Sequence, residues 1–110
     1  MSVKAPKYRN IKTTVDGIVF DSAKEARRYS ELKLLVRAGR ITGLEVQPSF
    51  RIVVNNCLIC TYKADFRYTT DAPHAQGVVV VEDCKGFKTP VYRLKRKLML
   101  AVHGISVVET

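Results

Sequence analysis

The sequence predicts an α/β (α+β) domain in which one mixed β-sheet is flanked by two helices. Three observations lead there. Four consecutive valines at residues 78–81 read as a strand buried on both faces. Ser22 followed three residues later by Glu25 is a capping-box pattern, and it opens a proline-free run that ends at Gly39. Thr89 and Pro90 supply an N-cap and a first-turn proline for a second run, which ends at Gly104.

The first element is a hairpin over residues 12–20, because Asp16-Gly17 lies between two β-branched runs and both turn positions need φ > 0. The first helix follows, with Ala26, Tyr29, Leu32 and Val36 at near-helical spacing. Residues 41–54 read as extended, interrupted at Pro48, and Asn55-Asn56 reads as a turn. Residues 57–68, "CLICTYKADFRY", read as the second strand of the same hairpin. Tyr62, Ala64 and Phe66 take one face of it, and Lys63, Asp65 and Arg67 the other. Residues 69–77 read as a loop in which His74 is solvated. After the valine strand, the second helix is expected to bury Val91, Leu94, Leu98 and Ala101 or Val102, and "ISVVE" is a last short strand.

The 110 residues suit a single domain over residues 1–110, with residues 1–12 as a basic N-terminal arm. No apolar run approaches the ~18 residues a membrane helix needs, and the start lacks the apolar region of a secretory signal. A cytoplasmic protein with no membrane partner is expected. Cys57 and Cys60 form a CxxC, but a zinc site needs two more ligands at suitable spacing, and only Cys84, His74 and His103 remain. Buried free thiols in a reducing cytosol are the expectation.

Charge carries more. Lys plus Arg number 19 against 10 Asp plus Glu, a formal net charge of +9, which points to a polyanion partner. Lys4, Lys7, Arg9 and Lys12 form one acid-free block. Lys85, Lys88, Arg93, Lys95, Arg96 and Lys97 form a second. Lys4, Lys7, Arg9, Lys12, Lys88, Arg93, Lys95 and Lys97 are the candidates for contact with the phosphates of such a partner.

Strand periodicity puts Asp83 and Lys85 on one face and Glu82 and Cys84 on the other. If the strand bearing Asp65 pairs beside Asp83, two carboxylates and an ammonium converge at one end of the sheet. Oxygen ligands of that kind suit Mg²⁺ or Mn²⁺. The same residues also admit a plainer reading: Asp83 and Lys85 as a surface ion pair, Asp65 paired with Lys63 or Arg67, and Glu25 as no more than part of a capping box.

"ADF" and "VVEDCKG", with "KEARRY" on a helix before them and a basic helix after, resemble the PD-(D/E)XK nuclease superfamily. More closely, the chain resembles a family of small phage-encoded proteins within it. Stretches such as "VDGIVFDSAKEARRYSELKLL", "LEVQPSF", "YKADFRY", "VVEDCKG" and "YRLKRKLM" carry that likeness over residues 8–108. The resemblance implies an αβββαβ restriction-endonuclease-like core. It implies Asp65 and Asp83 as catalytic metal ligands, with the carbonyl of Cys84 and with Glu25 as the helical acid near the metal. It implies Lys85 as the residue that orients the nucleophile, and Gln47 as a further position near the site. Ala64 replaces the proline of the family's "PD".

The activity implied is Mg²⁺- or Mn²⁺-dependent hydrolysis of DNA phosphodiesters. Branched or junction DNA, as for Holliday-junction resolvases in phage recombination and repair, is the implied substrate. A homodimer, encoded by phage or prophage and acting in the host cytoplasm, is expected. Two other functions compete: a non-catalytic DNA-binding module on the same fold, and a structural or RNA-binding protein whose basic ends do the work.

Overall fold

The computed structural model describes residues 11–70 and 77–110. Lys4, Lys7 and Arg9 of the basic arm, and His74 of the predicted loop, lie outside the described residues.

The chain opens with a hairpin of β1 (Thr13–Val15) and β2 (Ile18–Phe20). Asp16 and Gly17 both have positive φ, 53° and 75°, as a tight two-residue turn demands. Helix α1 (Ala23–Arg37) is capped by Ser22, whose hydroxyl accepts from the Glu25 amide at 3.1 Å. Ala26, Tyr29 and Leu32 are buried as expected, whereas Val36 is exposed and Leu35 takes the inner position.

Strands β3 (Ile41–Val46), β4 (Ser49–Val54), β5 (Cys57–Lys63) and β6 (Phe66–Thr70) then form one long bent hairpin. Its tip is Asn55-Asn56, both at positive φ. Partners on either side of the bend keep one register: Val46 faces Phe66, and three steps on Ser49 faces Lys63. At the bend Gln47 has φ 56° and Pro48 has no N–H to give, so the ladder breaks. The Gln47 amide donates to the Asp65 carbonyl (2.8 Å) and the Ala64 amide to the Pro48 carbonyl (3.0 Å).

Strand β7 (Val79–Asp83) pairs antiparallel with β6, and β8 (Val108–Glu109) pairs parallel with β7. Between them runs α2 (Pro90–His103), capped by Thr89 and ended by Gly104 at φ 67°.

The architecture is mixed α+β with a mixed sheet and two helices, but the strands do not form a single sheet. The order β3-β6-β7-β8 makes the central sheet, and β1-β2 and β4-β5 are separate two-stranded ladders. Two cores result. Phe20, Ala26, Tyr29, Leu32, Ile41, Phe66 and Tyr68 gather around α1. Ile52, Tyr62, Ala64, Val81, Tyr92, Met99 and Val107 gather around α2. Alternation along β7 feeds both, Val80 packing against the first and Val81 lying in the second.

Three expectations are corrected. Residues 57–68 are two strands, and the bend sends Tyr62 and Ala64 into the second core but Phe66 into the first. The valine run is buried only at its end: Val78 and Val79 are exposed and Val81 is buried. In α2 the buried residues are Tyr92 and Met99, and Leu98 packs against that core as expected, while Val91 and Leu94 are 61% and 58% exposed and Ala101 and Val102 also face out. The helix carries two apolar stripes, and the one with the larger side chains, Tyr92 over Tyr62 and Met99 in the core, docks.

Candidate active site

The bend, the end of β7 and the first turn of α1 meet at one end of the central sheet. Phe66 pairs with Glu82, so Asp65 lies one step beyond, opposite Asp83. The Asp65 amide donates to the Glu82 carbonyl at 3.0 Å, which extends the ladder to that step. The predicted convergence of Asp65 and Asp83 is therefore present.

Asp83 is 1% exposed, which rules out a surface ion pair. Its Oδ2 accepts from the Tyr62 hydroxyl. Its Oδ1 faces Lys85 Nζ at 3.5 Å and is the one buried side-chain polar atom among the described residues with no hydrogen-bond partner. Lys85 Nζ also stands 5.0 Å from the centre of the Tyr92 ring, a cation–π contact. The aromatic ring and the carboxylate together hold the ammonium at the sheet end.

Asp65 pairs with neither Lys63 nor Arg67. Its Oδ2 accepts from the Cys84 amide at 2.6 Å, while Arg67 reaches Glu45 at 3.7 Å. Burial raises the Asp65 carboxyl to about 8. The Cys84 N–H pulls the other way, and the charges of Asp83 and Glu25 add to the rise.

Glu25, 5% exposed on the first turn of α1, is raised too, by burial first and then by Asp21; a hydrogen bond with Asp65 opposes this and Asp83 adds to it. The structure places Glu25 both at the helix cap and on the wall of the acid cavity. Its amide closes the Ser22 cap, and its carboxyl joins the acid cluster. Asp21, Ser22, Lys24, Glu25, Asp65 and residues 84–87 line a cavity of about 280 Å³ in front of this cluster.

Glu82 points to the opposite face, as its parity requires. It is 1% exposed and binds Arg28 through two bonds, Nε to Oε1 at 2.8 Å and Nη2 to Oε2 at 2.7 Å, and it accepts from the Tyr68 hydroxyl. This pair ties α1 to β7 directly behind the acids. Burial pushes the Cys84 thiol up, so the neighbouring lysine does not activate it. All three cysteines are free. Cys57 is exposed rather than buried, and Cys60 and Cys84 pack against different cores.

Gln47 is positioned by the bend, but its side-chain amide donates to the Val19 carbonyl at 3.2 Å, and it is not among the residues lining the cavity. Its backbone, rather than its side chain, serves the site, by holding Asp65. Of the basic candidates, Lys12, Arg93 and Lys97 are exposed. Lys88 pairs with Glu109 at 3.2 Å, and Lys95 donates to the Thr61 carbonyl at 3.0 Å.

Asp65, Asp83 and Glu25 offer only oxygen donors, the class that hard divalent cations prefer, and the unpartnered Asp83 Oδ1 is of the same kind. Among the described residues, though, no three His, Cys, Asp or Glu side chains stand as a ready-made set of ligands. Tyr62 and the Cys84 amide each hold one carboxylate oxygen. Sequence reasoning missed Tyr62, Tyr92 and Arg28. Their signal was weak, since a tyrosine or arginine on an inward position reads simply as packing.

Among the described residues, no helix is long and apolar enough to cross a membrane. No curated protein and no solved structure matches the chain. A family model described as "Protein of unknown function (DUF1064)" matches residues 5–104, and the chain belongs to that family.

Proposed function

We propose that the protein is a metal-dependent endodeoxyribonuclease. The observation that carries this reading is the meeting of Asp65, Asp83, Glu25 and Lys85 at one sheet end beside an open cavity. Three carboxyls this close repel one another unless protons or a cation sit among them, and the rise of Asp65 to about 8 comes first from burial and then from that repulsion.

Asp65, Asp83, Glu25 and the carbonyl of Cys84 would hold Mg²⁺ or Mn²⁺. Such an ion supplies Lewis acidity, lowering the pKa of bound water and neutralising charge on the phosphate. The chain's own residues do the rest. Tyr62 and the Cys84 amide fix the orientations of Asp83 and Asp65. Lys85, held between Asp83 and the Tyr92 ring, presents positive charge to the scissile phosphate and orients the attacking water. The water oxygen bonds to phosphorus, the P–O3′ bond breaks, and the leaving oxygen takes a proton, giving a 3′-hydroxyl and a 5′-phosphate.

We infer that the substrate is branched DNA, cut by a homodimer in the cytoplasm of a host carrying phage or prophage. The small domain and the excess of basic residues support this.

A second reading is a non-catalytic DNA-binding module. It is favoured by the lack of a ready-made ligand set among the described residues and by the hold of Tyr62 on Asp83. Incubation of a labelled four-way junction, a linear duplex and a single strand with Mg²⁺, Mn²⁺ or EDTA separates the two. The nuclease reading expects metal-dependent cutting that Asp83→Ala abolishes. Tight binding with no cutting in either metal overturns it.

A further inference from the structure

Lys85 lines two cavities. One is the acid cavity. The other, about 270 Å³, lies on the α2 side and is walled by Thr61, Tyr62, Lys63, Lys85, Thr89, Val91, Tyr92 and Lys95. This second wall carries three lysines and no acid. Lys95 is held across the groove by its bond to the Thr61 carbonyl, so its charge has a fixed position rather than a solvated one. Thr89 is the N-cap of a 14-residue helix, whose positive end opens on the same groove.

We propose that this groove seats a backbone phosphate of a nucleic-acid strand, next along the strand from the phosphate at the acid cavity. The proposal rests on the nuclease reading for which phosphate is cut, but not for the binding itself. The chemistry selects a compact, doubly liganded anion. Two ammonium groups, Lys63 and Lys95, flank the groove, and Lys85 bridges it to the acids. Tyr62 and Tyr92 give their hydroxyls to Asp83 and Glu109, so neither competes as a donor in the groove. The lysine thus stands between an acidic and a basic half of one strand path.

The test is equilibrium binding of a labelled duplex in EDTA over a series of KCl concentrations, so that no cutting is needed. Lys63→Gln and Lys95→Gln together are expected to reduce the slope of log K against log salt by about 0.9, the loss of the one phosphate the groove seats, and each alone to reduce it in part. Lys33→Gln, on α1 and on neither cavity wall, is expected to leave it unchanged.

Unchanged slopes for Lys63→Gln and Lys95→Gln, or an equal loss for Lys33→Gln, overturn the proposal. Thermal melting checks that Lys95→Gln still folds, and if it does not, Lys63→Gln decides. Replacing chloride by inorganic phosphate at matched ionic strength is expected to displace the duplex no further. Displacement by millimolar phosphate would make a free anion the ligand and overturn the nucleic-acid assignment. A protein that cuts DNA but keeps its slopes loses the groove. One that never cuts but loses slope keeps the groove and loses the nuclease reading.

Discussion

Asp65→Asn is expected to make the protein more stable at neutral and alkaline pH. The amide oxygen of asparagine still accepts from the Cys84 N–H, while the charge that crowds Asp83 and Glu25 is gone. The sign follows from the direction of the shift. The folded carboxyl is raised from 3.8 to about 8, so its contribution favours folding below pH 4 and is lost as pH rises toward 8. At pH 7 ionisation in the unfolded chain puts a ceiling of about 4 kcal/mol on that loss, at 1.36 kcal/mol per unit from the ordinary 3.8. Asp65 is only partly buried, and water at the cavity mouth screens the effect to about 1–2 kcal/mol. For 110 residues that is a rise in Tm of about 4–9 °C. Thermal melts of both proteins in EDTA at pH 5, 6, 7 and 8 test it. The gap is expected to widen with pH, and Mg²⁺ is expected to stabilise the parent more than the variant. A variant less stable than its parent at pH 8, or a gap independent of pH, refutes the reasoning.

Other substitutions separate the parts of the site. Lys85→Met is expected to slow cutting about 10²-fold at saturating DNA, read in a single-turnover cleavage assay, with the fold intact by circular dichroism. Arg28→Met leaves Glu82 buried without its cation and is expected to cost about 3 kcal/mol in urea unfolding; Arg28→Met combined with Glu82→Leu recovers most of it. Gly17→Ala places a side chain at φ 75° and is expected to lower stability by about 1 kcal/mol with no change in DNA binding, read by melting and by filter binding.

Local signals carried much of this structure. The Asp16-Gly17 turn, the Ser22 and Thr89 caps, and the Gly39 and Gly104 stops are chemistry written over two to four residues, and each is where it was expected. Asp65 and Asp83 were legible because a strand's period of two constrains which residues face together, and the register of β6 and β7 completed the match. What was not legible depended on pairings far apart in sequence. The break at Gln47 and Pro48 acts on Ala64 and Asp65, sixteen or more residues away, and no periodicity along either strand records it. The inner stripe of α2 was misjudged for the same reason. Val91 and Leu94 are as apolar as Tyr92 and Met99, and the side that docks is the one that meets Ile52, Tyr62 and Val107, residues distant in sequence. Glu82 could be read as facing away from Asp83, but not as the partner of Arg28, fifty-four residues earlier.

The bent hairpin has a consequence for how the acid cluster comes into being. Asp65 sits at the joint where one strand leaves the α2 core and enters the α1 core. Its backbone is pinned by Gln47 on one side and Glu82 on the other, and its carboxyl meets Glu25 from the first helix and Asp83 from the last long strand. Losing either core takes away at least one of these neighbours. The complete cluster therefore exists only where both cores are formed, and a chain with one core in place holds at most part of it. An intact set of carboxyls around Asp65 thus marks a chain in which both halves are in place.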